Sequence, residues 1–175
     1  MAEHPPAVRE TETGSPSRRI LLCMGQARLG TALLTATLLS AACGDDQDPS
    51  GAEALWNRIH SENYRNWARA PGFEQRRSSS AAHGNAVDIY VNETVAEALR
   101  SPSALTAWPT GSVIVKDGFD DGDFDLVAAM EKREGGWFWA EWDTEGDAIY
   151  SGRPSLCIDC HASGADSVRA FPLPK

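Results

Sequence analysis

The sequence predicts an α+β fold: a mainly antiparallel β-sheet with an N-terminal helix ahead of it and a C-terminal helix behind it that carries "CIDCH", residues 157 to 161. Three observations lead there. Apolar residues alternate with others through four segments between Ala86 and Asp143, which is strand periodicity. Short turn-rich links join successive segments and favour a meander over crossovers. An aromatic series at helical spacing precedes all of them.

The elements follow in order. Residues 1–42 read as leader and signal peptide, with Met24 as an alternative start. After Met24, Arg28 precedes an uncharged apolar stretch that ends in small residues before Cys43 and is too short to span a bilayer. "LSAAC" is similar to the lipobox of bacterial lipoproteins, although Ser40 stands where that box usually has leucine. Cys43 is thus the candidate lipid attachment, with plain cleavage after Ala42 as the alternative. Either route exports the domain to the periplasm or cell envelope, and a lipid would be its one tie to the membrane.

Residues 43–53 are acidic and lack a large apolar side chain, so they are expected to form a flexible tether to a folded domain over 54–175. In "ALWNRIHSENYRNWARAPG" the residues Trp56, His60, Tyr64 and Trp67 share one face of an expected helix that ends before Pro71. "AVDIYVN" (86–92) reads as a strand, and "ETVAEALRS" (93–101) as a short helix stopped by Pro102. Strands are expected over 111–119, 124–131 and 135–143, the last with Trp137 and Trp139 on one face and Phe138 on the other. "DGFDDGDFD" (117–125) fails as a calcium loop: counted from Asp121, Leu126 holds the glycine position and Lys132 the glutamate position. It reads as a solvated hairpin.

The chain has 175 residues, enough for one domain with a core. A net charge of −9 without a lysine or arginine cluster argues against a grip on nucleic acid. Only Cys157 and Cys160 remain for the folded domain, which excludes a zinc site built from two cysteine pairs. A redox dithiol normally opens a helix after a first strand, whereas this pair follows all the strands. A plain disulfide suits an exported protein but leaves His161 without a role. Covalent haem uses all three residues: thioethers at Cys157 and Cys160, one helical turn apart, and the next imidazole, His161, under the iron. The expected cofactor is one haem c.

"HGNAVDIYVN", "WPTGSVIVKDG", "MEKREGGWFWAEWD" and "CIDCHASGADSVRAF" occur in an order and spacing that resemble the cytochrome P-460 family. The resemblance implies a mostly antiparallel domain, commonly a homodimer, holding one c-type haem with histidine on one side and an open or weakly filled position on the other. Some members oxidise hydroxylamine, hand electrons to a soluble cytochrome acceptor, and carry a lysine joined to the porphyrin; that lysine matches Lys116. Others bind nitric oxide without turnover and lack the link. The arginine that the oxidisers place over the ligand has no match here, since Val87 and Asp88 occupy that neighbourhood. Enzyme, gas-binding protein and plain electron carrier therefore stay open. Glu131 is the candidate distal acid or base, against the plainer reading of an exposed strand residue. His60, His83 and Met130 are weighed as sixth ligands against ordinary structural roles.

Overall fold

A computed structural model describes residues 47–175; the expected signal peptide, Cys43 and the first residues of the tether lie outside the described residues. Seven strands form one antiparallel sheet: β1 (Ala68–Arg69), β2 (Arg77–Ser78), β3 (Ala86–Val91), β4 (Val113–Asp120), β5 (Asp123–Arg133), β6 (Gly136–Trp142) and β7 (Ala148–Gly152). Their order is β1-β3-β4-β5-β6-β7, with β2 also pairing β3. Among the described residues three α-helices accompany them, α1 (Pro49–Ser61), α2 (Glu93–Arg100) and α3 (Ser155–His161), with a short 3₁₀ helix at Tyr64–Asn66. The architecture is α+β.

The turn between β4 and β5 places Asp121 at φ 48° and Gly122 at φ 99°. Two consecutive left-handed residues suit a two-residue hairpin, because their twist matches that of the flanking strands. The acidic run is thus the tip of a hairpin.

The amino-terminal part differs from the sequence expectation in two ways. Helix begins at Pro49, inside the segment expected to be a tether, because the Asp48 carboxylate caps it by accepting from the Gly51 amide at 2.8 Å. Gln47 and Asp48 also bond Ser151 on β7, so this stretch is tied to the sheet edge. The same helix stops at Ser61 rather than before Pro71, since Asn63 adopts φ 51° and Tyr64–Asn66 tighten into a 3₁₀ turn. The aromatic series survives the break: Trp56, His60, Tyr64 and Trp67 still stack in sequence, with centroids 3.9, 5.3 and 6.4 Å apart. What α1 buries most deeply is a different stripe, Ala52, Leu55 and Ile59.

Alternation along the strands builds two cores. On the back face, α1 packs on Tyr90, Val113, Val115, Val127, Ala129, Phe138, Ala140 and Trp142. The front face offers Val87, Ile89, Val91, Ile114, Met130, Trp137 and Trp139, covered by α2, Trp108 and the C-terminal Val168 and Phe171. Trp137 and Trp139 lie opposite Phe138, as the two-residue period requires.

Two carboxylates are buried on the back face: Asp88 on β3, paired with Arg69 and Arg76, and its cross-strand neighbour Asp117. Asp117 on β4 is 2% exposed and accepts from the Tyr64 hydroxyl at 2.6 Å and from Arg65 Nε at 2.7 Å. Burial, then the Asp117 carboxylate, pushes the Tyr64 hydroxyl pKa up, so it stays a donor. Replacing Asp117 by alanine strands a buried hydroxyl and a guanidinium. The expected loss is about 3–5 kcal/mol in urea unfolding, against about 1–2 for Asp117→Asn, which keeps an acceptor. Equal stability of Asp117→Ala and the parent would show that this network does not anchor β4.

Candidate functional site

Helix α3 is about two turns long and is preceded by Pro154 at its cap position, whose carbonyl accepts from the amides of Cys157 and Ile158 at 3.0 and 3.1 Å. Spacings of three and four residues put Cys157, Cys160 and His161 on one side of it. Cys157 packs against the front core, and Cys160 is exposed with Arg169 Nη1 3.3 Å from its sulfur. Leu156, 60% exposed, and Ile158 are the large apolar side chains that α3 leaves in solvent.

His161 is held from behind. Its Nδ1 lies 2.8 Å from the Ser167 carbonyl, which can only accept, so Nδ1 carries the proton and Nε2 keeps its lone pair. Burial lowers the imidazole pKa, partly opposed by the Ser167 bond, with Lys116, His83 and Arg169 pushing the same way as burial. A neutral ring with a free Nε2 is the form that binds a metal.

The loop presenting Ser167 departs from ordinary backbone. Asp166 and Ser167 both have positive φ, 47° and 64°. Asp166 holds it there: its carboxylate takes Lys132 Nζ at 2.7 and 2.9 Å and the Trp108 amide at 2.7 Å, while its carbonyl takes Trp137 Nε1 at 2.8 Å. Lys132 and Trp137 belong to the front face of the sheet, so the sheet itself fixes the carbonyl behind His161.

Across from α3, three neighbouring strands contribute one row of the front face: Lys116 on β4, Ala128 on β5 and Glu141 on β6. Burial draws the Lys116 ammonium down to about 8 from 10.5, despite the opposing fields of Glu141 and Cys160. Glu141 Oε2 accepts from His83 Nδ1 at 2.7 Å. The His83 and Trp139 rings stand 6.5 and 6.3 Å from the His161 ring, centroid to centroid. Trp139 Nε1 is buried with no hydrogen-bond partner.

The structure brings Lys116 near Cys160 and His161. It does not bring Glu131. That carboxylate alternates onto the back face, where Arg58 of α1 and Arg133 each bind it at 2.8 Å. The reading of Glu131 as distal acid or base is therefore corrected: strand parity turns it away. Glu141 is the carboxylate on the front face, and it shares parity with Trp137 and Trp139 in "GGWFWAEW", a signal that was available in the sequence. His60 is also on the back side, its Nδ1 bonded to the Trp56 carbonyl, and Met130 is core. Nothing in the sequence announced Asp166 or Ser167, since positive φ at non-glycine residues has no composition signature.

These residues fit a haem. Among the described residues, no group of three or more His, Cys, Asp or Glu could hold a metal ion by itself. A porphyrin supplies four of the iron's ligands and asks the protein for one oriented imidazole, which His161 provides. The family model described as cytochrome P-460 matches residues 61–169. No curated protein and no solved structure matches the chain.

The burial of Lys116 has a measurable consequence. In the haem-free protein, competitive acylation between pH 6 and 11 is expected to give Lys116 a titration midpoint near 8, below 10.5 for an ordinary lysine. Because the folded pKa is the lower one, folding releases a proton in that window, and stability rises as pH climbs from about 8 to 10.5. An ordinary midpoint would remove the desolvated amine from the site.

Proposed function

Since the chain belongs to the cytochrome P-460 family, we propose that it is an exported cytochrome carrying a single haem c, joined to Cys157 and Cys160, with His161 as an axial ligand. Its activity in this reading is to bind small nitrogen compounds, hydroxylamine or nitric oxide, at the haem these residues would hold, and to oxidise hydroxylamine. The observation that carries it is the set of two thiols and an imidazole on one side of α3, the imidazole fixed through Nδ1 with Nε2 available. When bound, the haem supplies a redox-active iron for the nitrogen lone pair.

The chain's own residues do the rest. Ser167 keeps His161 in one tautomer and orientation, and Asp166 keeps Ser167 in place. Lys116 presents an amine that is partly neutral near pH 8, the nucleophilic form needed for a link to the porphyrin edge. Glu141 faces the site and accepts a proton lost by the nitrogen compound. The exposed Leu156 and Ile158 offer an apolar contact beside the attachment cysteines for a soluble cytochrome that takes the electrons. Export follows the reading of residues 1–42 as signal peptide, with Cys43 as the lipid-bearing residue.

A second reading, nitric oxide binding without turnover, is favoured by one observation. Val87 and Ile89 make the front of β3 apolar, and no arginine lies between Arg77 and Arg100.

The reduced protein's optical spectrum and steady-state hydroxylamine oxidation with an electron acceptor test the proposal. A strongly red-shifted Soret band that Lys116→Ala returns to the ordinary c-type position, together with turnover, is the expected result. An ordinary wild-type spectrum removes the cross-link. Nitric oxide binding without hydroxylamine turnover selects the second reading.

A further inference from the structure

We propose that His83 is a second protein ligand of the iron, held in place by Glu141 and displaced when a small external ligand binds. The inference rests on the haem reading above and adds to it a regulation of the open position.

Three observations converge on His83. Its ring centroid is 6.5 Å from that of His161. Two imidazole nitrogens each about 2 Å from one metal leave their ring centroids about 6 Å apart, so the gap accommodates an iron and leaves no room for an additional ligand molecule. The planes cross at 59°, which coordination permits because each ring can rotate about its metal–nitrogen axis.

The second observation is the state of both rings. Carboxylates and carbonyls only accept, so His83 donates from Nδ1 to Glu141 at 2.7 Å as His161 donates from Nδ1 to Ser167 at 2.8 Å. In its neutral form each ring presents Nε2 to a metal, and a carboxylate behind a histidine is the recurrent partner of a metal-bound imidazole. Glu141 is only 15% exposed at its side chain and His83 20%, so this is not a surface ion pair.

The third is that the backbone of His83 is built into its position. Gly84, at φ +93°, has the Phe119 carbonyl 2.5 Å from where a Cβ would stand, and Gly118 has the His83 carbonyl equally close. Any side chain at either glycine would push the loop off β4. Two glycines thus set the loop directly on the strand that carries Lys116.

With His83 on the metal, an added ligand would have to compete with it, and the Glu141 bond to Nδ1 would hold the released ring nearby. Apparent affinity falls by the fraction of molecules in which His83 is off the metal. The test uses the protein matured with haem, by electron paramagnetic resonance and absorption of the ferric state, with cyanide and imidazole as probes. The wild type is expected to be low-spin. His83→Ala and His83→Phe, the latter filling the space without coordinating, are expected to be high-spin and to bind cyanide at least about tenfold faster. Imidazole added to His83→Ala should restore the low-spin signal. High-spin wild type, or low-spin signals that persist in both variants, would overturn the proposal while leaving covalent haem intact. Haem that separates from the chain on a denaturing gel would overturn both this inference and the reading beneath it.

Discussion

Strands β4 to β6 must turn successive side chains to opposite faces, and that one constraint arranges everything else. Lys116 and Asp117 are neighbours in sequence and point to opposite sides of the sheet. Lys116 goes forward to Glu141 and the α3 residues; Asp117 goes back to Tyr64 and Arg65. The same parity separates Glu131, locked to Arg58 and Arg133, from Glu141, bonded to His83. A slip of one residue in β5 or β6 would exchange the contents of the two faces. The back-face ion pairs therefore help to fix the register that keeps the front face in order.

The front face also governs a piece of backbone that local preference would not choose. Two adjacent non-glycine residues at positive φ cost on the order of 1–3 kcal/mol each. Asp166 offsets that cost with its bonds to Lys132, the Trp108 amide and Trp137 Nε1. The result is a carbonyl, that of Ser167, aimed at His161 Nδ1. A rigid sheet, rather than the short helix α3 alone, thereby sets the direction of the imidazole, and precision at a metal ligand generally comes from such outer contacts.

Much of this was legible in the sequence. The period of two gave β3 to β6 and the opposition of Trp137 and Trp139 to Phe138, because alternation follows directly from strand geometry. "CIDCH" gave Cys157, Cys160 and His161 as a group, since helical spacing alone puts them on one side. Illegible were the two-residue strands β1 and β2, too short for any period, and the end of α1, set by one left-handed residue, Asn63. The tether expectation failed because Asp48 supplied a cap and Gln47 found Ser151 across the fold. Glu131 was read without assigning it a face of its strand, and His83, a candidate sixth ligand from the sequence, has its partners Glu141 and His161 brought to it by the fold alone.

An iron porphyrin joined to α3 by two covalent bonds, as proposed, stays with the polypeptide when the protein is denatured. That attachment is tested most directly by the intact mass of the protein made in a host that matures c-type cytochromes, followed by mapping of the peptide that contains residues 157–161. The expected result is the mass of the mature chain plus one haem, with the haem mass on that peptide and lost in Cys157→Ala/Cys160→Ala. A mass equal to that of the amino acids alone, in colourless folded protein, would contradict it.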